Sequence, residues 1–278
     1  MIKFVENSEV VAPDELQKYS QYIVDEFLNQ MKSHPPLVVD LSFYPTWTTY
    51  QKKLKRSLSA PIYSKKKGDR FIIHFCENRL KGISKPAFQG WLEMELALCI
   101  LKLHQKLYQC NFRRRVLPLF PVSGLAENFA RELVEHIESG LKRYLATRMI
   151  IEFGHGLSQV YFYFFKTAPY PKEKDEYQQT IPYHWVRSLF LCRRLREFMP
   201  IFLLAHQNID LAKDLKSKWW KYHEYLLLED RSLLEKLAII PDHNSKEPYP
   251  NQLVEMFKKV LPRLLIHQNQ ITPPSVLH

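Results

Sequence analysis

One segment restricts the possible folds more than any other. Residues 87 to 104 read AFQGWLEMELALCILKLH, and their apolar side chains fall on almost every side of a helical projection. A helix that is apolar all round has no face to offer water, so it belongs inside the protein. The rest of the chain has to supply the layers that wrap it.

Most of those layers read as helix. Leu16, Tyr19, Ile23, Phe27 and Met31 recur at helical spacing after Pro13 and Asp14, and Pro35 and Pro36 stop that run. Phe129, Leu133, Ile137, Leu141 and Leu145 line one face of a long helix from about Leu125 to Glu152. Gly154 and Gly156 bracket His155 and look like the stop of that helix. Further helices are expected over Val160–Phe165, His184–His206, Ile209–Leu228 and Asn251–Ile266, with Pro200 kinking or breaking the second.

Before the central helix the composition changes. Leu37–Phe43 is short and rich in β-formers, so it reads as a strand. Pro61–Ser64 and Arg70–Cys76 flank Lys65-Lys66-Lys67-Gly68-Asp69, a hairpin pattern with glycine at the tip. The expected class is α+β and mainly helical: a small N-terminal sheet with a hairpin, a buried central helix and a helical C-terminal region. The proline- and charge-rich stretch Ala168–Pro182 is the expected boundary. It divides an α+β domain over 1–170, which includes the N-terminal helix, from a helical region over 171–278 packed on it.

Several function classes lack any motif. No apolar run approaches the ~20 residues of a spanning helix, so no membrane partner is expected. The N-terminus, MIKFVENSEVV, has no signal-peptide core. Cys76, Cys99, Cys110 and Cys192 form no CxxC pair, which fits free thiols in a reducing, cytoplasmic compartment. GxSxG, GxxxxGK[ST] and GxGxxG are all missing, so neither a covalent hydrolase nor a nucleotide cofactor has support. No cofactor is expected.

Charge is concentrated. Residues 51 to 85 hold eight lysines and three arginines against Asp69 and Glu77, within a chain of formal charge +11. A second cluster is Arg113, Arg114 and Arg115. Trp47, Tyr50, Lys52, Lys53, Lys55, Arg56, Tyr63, Lys65, Lys66 and Lys67 interleave rings with cations. Such a mixture suits single-stranded nucleic acid, with cations on phosphates and rings under bases. Lysines on a sheet edge also simply block edge-to-edge pairing.

Within the central helix Glu95 has Trp91, Leu92, Leu98 and Cys99 as its neighbours one turn away. A carboxylate in such surroundings needs a partner, and an arginine from another helix is the ordinary one. On the long helix, Glu132 and His136 share a face, while the adjacent Glu135 points about 100° away from His136. His223 and Glu224 lie among Trp219, Trp220, Tyr222 and Tyr225, which reads as helix packing. His74 falls in an expected strand.

A sheet with an edge hairpin, then a GWLxxELAxxIL helix, then a long helix with an acidic pair resembles the zincin metallopeptidases over about residues 71–156. In that family two histidines of HExxH bind zinc and the glutamate polarises water. The resemblance implies that Glu95 is the remnant of that glutamate, with Met94 and Leu98 in place of the histidines. Glu132, Glu135 and His136 lie on the helix that often brings the third ligand. It therefore implies a catalytically degenerate, metal-free binding or scaffold protein. The alternatives are a basic nucleic-acid-binding helical protein and a metal-dependent hydrolase with atypical ligands. The expected partner is accordingly another protein or a nucleic acid.

Overall fold

The computed structural model describes residues 9–12, 14–30, 37–54, 60–103, 126–167, 170–207 and 209–239, with positions 251, 254, 255, 258 and 259. The protein is α+β and mainly helical, with ten helices and three strands among the described residues. No helix among them is long and apolar enough to cross a membrane. Two compact units are present. The first comprises Met1–Gln105, Leu145–Ala168 and Leu203–Lys218, and the second Lys106–Tyr144, Pro169–Phe202 and Trp219–His278.

The first unit opens with α1 (Leu16–Gln30), which buries Leu16, Ile23, Val24 and Phe27. Then follow β1 (Val38–Tyr44), α2 (Trp47–Leu54), β2 (Ile62–Lys67), β3 (Arg70–Cys76), α3 (Glu77–Leu80) and α4 (Lys85–Leu103). The sheet has the order β1-β3-β2. β1 runs parallel to β3, and β2 runs antiparallel to it. The β2–β3 hairpin is closed by Gly68 and Asp69, with Gly68 at φ +64°, the left-handed backbone that glycine adopts without strain.

The two faces of this sheet differ. Phe71, Ile73 and Phe75 are fully buried on one face, where Phe75 meets Phe88 of α4 at 6.2 Å between ring centroids. Cys76, on the other face, packs with Tyr50 and Leu54 of α2, joined by Tyr44, Trp47 and Tyr63. Sequence patterning does not point to α2, because Thr48, Thr49 and Tyr50 favour strands. Tertiary packing decides its conformation. Thr49 N–H donates to the Thr46 hydroxyl at 3.3 Å, and Tyr50 and Leu54, one turn apart, bury against the sheet.

α4 is buried on almost all sides, as its apolar pattern requires. It packs on α6 (Gly156–Lys166), α1 and β2. The approach to α6 is closest at Gly90, whose carbonyl accepts from Gln159 Nε2 at 2.8 Å. A Cβ at position 90 would lie 2.2 Å from the Ser158 carbonyl oxygen. Gly90→Ala is therefore expected to push the two helices apart and lower stability by about 2–3 kcal/mol, measured by urea unfolding. A decrease under about 0.5 kcal/mol, the range of an ordinary surface substitution, would contradict this crossing.

The second unit takes the first part of α5 (Ala126–Glu152), with Leu133, Ile137 and Leu141 fully buried. It also contains α7 (Glu173–Thr180), most of α8 (His184–His206), the end of α9 (Ala212–Tyr222) and α10 (Leu228–Ala238). Gly140 lets α5 approach α8, since a Cβ there would lie 2.9 Å from Arg196 Cα. Phe198 packs in tilted contact with Trp219 and Trp220, at 4.5 and 4.8 Å between centroids.

Three of the expected stretches gain detail here, and one of them is corrected. Of the kink or break expected at Pro200, the break does not occur: α8 continues across it, with Met199 and Ile201 fully buried on either side. The helix expected over Ile209–Leu228 is shorter: α9 ends at Tyr222, and a turn over His223–Leu227 leads into α10. The stretch Ala168–Pro182, where the first unit passes into the second at Ala168–Pro169, also holds a helix, α7, whose Tyr177 is fully buried. Arg113–Arg115, Cys110 and most of Asn251–Ile266 lie outside the described residues.

Candidate functional site

Two carboxylates of α4 must be distinguished. Sequence reasoning points to Glu95 as the acid in need of a partner, but the structure encloses Glu93, which is 0% exposed. His155 Nδ1 and the Ser158 hydroxyl both hydrogen-bond the Glu93 carboxylate, and Gln89 Nε2 donates to it at 2.7 Å. His155 sits between Gly154 and Gly156, and Ser158 lies in the first turn of α6, so the connection from α5 into α6 delivers both groups. The hydrogen bond to Glu93 raises the His155 pKa above its ordinary value, against the opposing effect of burial. The signal that could have revealed this site is Gln89, Gly90 and Glu93 on one side of an otherwise apolar helix.

Glu95 is half-buried and faces the sheet. Ser64 N–H of β2 donates to Glu95 Oε2 at 3.1 Å, so the partner is a backbone amide rather than an arginine. Two turns along α4, Lys102 Nζ donates to the Ser64 hydroxyl at 3.1 Å and lies 3.4 Å from the Ser64 carbonyl oxygen. Ser64 pairs opposite Ile73 with its N–H and C=O turned away from β3. Glu95 and Lys102 thus close the free edge of β2 at this residue, where another strand could otherwise pair.

Zinc held as an HExxH site holds it does not fit these residues. Met94 is 3% exposed in the core, and Leu98 carries no donor. Among the described residues, no group of three or more His, Cys, Asp and Glu could hold a metal ion.

Glu132, Glu135 and His136 belong to the second unit. Glu132 and Glu135 are exposed, and His136 Nε2 lies 3.9 Å from Glu132 Oε1. Burial first, then Arg196, Arg193 and Arg194, push the His136 pKa down to about 4. Those arginines would also repel a metal cation, which makes this imidazole a poor ligand.

In the basic stretch, cations and rings part company. Lys52, Lys53, Lys65, Lys66 and Lys67 are exposed. Tyr50 is fully buried and donates to the Ala60 carbonyl at 3.1 Å. Trp47 stacks on Tyr50 at 5.3 Å, with the Arg79 guanidinium 5.0 Å from the Trp47 ring centroid. Tyr63 packs against the same cluster. Lys55 and Arg56 lie outside the described residues.

The second unit holds two further buried polar centres that sequence reasoning missed. Glu173 lies 2.8 Å from Arg194 Nη1 and 3.2 Å from His223 Nε2, and accepts from the Tyr225 hydroxyl. Burial would raise its pKa, but the His223 contact and the Arg194 charge outweigh burial and hold it below the ordinary value. Asp230 accepts from Arg187 through both oxygens, at 2.9 and 2.7 Å, and from the Tyr177 hydroxyl. His223 also faces the Trp219 carbonyl through Nδ1 at 2.8 Å and stacks on the Trp219 ring, so it both packs between aromatic rings and serves this polar centre.

No family model, curated protein or solved structure matches this chain.

Proposed function

We propose that the chain is a non-catalytic binding or scaffold protein, built on a metallopeptidase-like α+β unit in which Glu95 has become a structural carboxylate. The observation that carries this reading is the hydrogen bond from Ser64 N–H to Glu95. A glutamate that polarises water must point an oxygen at a metal-bound water. Glu95 points instead at a strand edge, and positions 94 and 98 supply no zinc donor.

The thiols agree with this reading. Cys76, Cys99 and Cys192 are buried and free, which suits a reducing, cytoplasmic compartment. Burial pushes the Cys99 thiol up to about 12, far from the range of a nucleophilic thiolate.

The experiment that tests the reading is amide hydrogen exchange at Ser64 in two Glu95 variants. Glu95→Gln keeps an acceptor and is expected to leave exchange close to wild type. Glu95→Ala is expected to speed it by about tenfold, the removal of one charge-assisted hydrogen bond of about 1.4 kcal/mol. Unchanged Ser64 exchange in Glu95→Ala would contradict a structural role for this carboxylate.

A further inference from the structure

We infer that the α2-side face of the sheet is a docking surface for the phosphate backbone of double-stranded DNA, made by Lys53 of α2 with Lys65 and Lys67 of β2. This rests on reading the chain as a binding protein, and it names the partner.

The register places these groups together. Cross-strand partners share a face, and the pairs Tyr63–His74, Lys65–Ile72 and Lys67–Arg70 all belong to the α2 side. Lys65 and Lys53 both lie close enough to His74 to help burial lower its pKa, so the lysines of α2 and β2 flank one histidine. Arg70 is bound to Asp40 at 3.2 Å. By contrast, Lys53, Lys65 and Lys67 form no ion pair with any other described residue. Their charge is left facing solvent.

The kind of partner follows from what accompanies the cations. Single strands are held by bases stacked on rings. Here Tyr50 is buried, Trp47 lies against Tyr50 and beside Arg79, and Tyr63 packs into the same cluster. The Tyr50 ring is thus enclosed, and the half-buried Trp47 ring already has Tyr50 and Arg79 as its neighbours. Membrane surfaces are held by cations together with inserted apolar side chains. The hairpin tip carries only Lys65, Lys66, Lys67, Gly68, Asp69 and Arg70. What remains is binding through phosphate alone. Lys65 and Lys67 are two strand residues apart, about 6.7 Å, which spans about two base steps of a nucleic-acid strand. Duplex DNA presents the dense, regular negative charge that such a row of ammonium groups matches.

The test is fluorescence anisotropy of the whole protein with a short random-sequence DNA duplex, titrated between about 50 and 200 mM salt. Wild type is expected to bind, with affinity falling steeply as salt rises. Replacing Lys53, Lys65 and Lys67 together by glutamine is expected to flatten the slope of log affinity against log salt by about 2.7, which is 0.9 for each phosphate no longer neutralised by a lysine. The triple arginine variant, with charge kept, is expected to bind like wild type, and unchanged circular dichroism checks that each variant is folded. Four results would overturn the inference: no duplex binding, an unchanged slope in the glutamine variant, tighter binding to single-stranded oligo-dT, or binding to phosphatidylserine vesicles instead of DNA. Each would leave the Ser64 exchange result untouched, so failure here and failure of the structural role of Glu95 are separable.

Discussion

His155→Ala is expected to destabilise the protein by about 3–5 kcal/mol in urea unfolding, because it leaves the Glu93 carboxylate buried without its imidazole. Gln89 and Ser158 would remain as hydrogen-bond partners, but neither carries charge. Removing both members is expected to be milder. The Glu93→Leu/His155→Leu double variant takes away the stranded charge together with the pair, and should lose less than His155→Ala alone. A double variant at least as unstable as the single one would show that the pair contributes more than mutual compensation.

The same pair gives the stability a pH dependence whose sign is fixed. The folded-state pKa of His155 is raised by its bond to Glu93. Its stabilisation is complete below the ordinary histidine value of about 6.5 and is lost as pH rises through the higher folded value. The unfolding midpoint should therefore fall on the alkaline side of about pH 6.5, and this fall should vanish in the double leucine variant. A midpoint that rises with pH over that range would contradict the pairing.

Glu173→Ala is expected to have a comparable effect in the second unit, about 3–5 kcal/mol. The substitution strands Arg194, 6% exposed at its side chain, with Glu197 at 3.3 Å as its remaining carboxylate. It also removes the acceptor of the Tyr225 hydroxyl. Because the Glu173 pKa is held below its ordinary value, its contribution is present above about pH 4.3 and is lost as pH falls through the depressed value. Glu173→Ala should accordingly show a shallower acid limb in its stability profile than wild type. A decrease under about 1 kcal/mol, the size of an exposed ion pair, would mean that the pairing with Arg194 contributes little.

The layout of the first unit is legible in the sequence because its signals are local. An all-round apolar helix has to be buried, and Gly68 beside a lysine run between two β-rich segments marks the hairpin. The partner of a buried acid is not a local signal. Gln89 and Gly90, one turn before Glu93, are the only local hint that separates it from Glu95, and they do not name its partner. The answer lies in His155 and Ser158, more than sixty positions away, and in a β2 amide. The glycines around His155 are visible, yet a helix stop explains them equally well. α2 stays hidden for the opposite reason, since its local preference is overridden by the burial of Tyr50 and Leu54.

The central claim is that the α4 carboxylates serve the fold and not a metal. Its most direct test is the zinc and iron content of the whole protein, purified without chelators or a metal-binding tag and measured by elemental mass spectrometry before and after zinc is added back. The expected result is far less than one metal per chain in both samples. Near-stoichiometric zinc that disappears in Glu95→Ala would contradict the claim and make Glu95 a ligand.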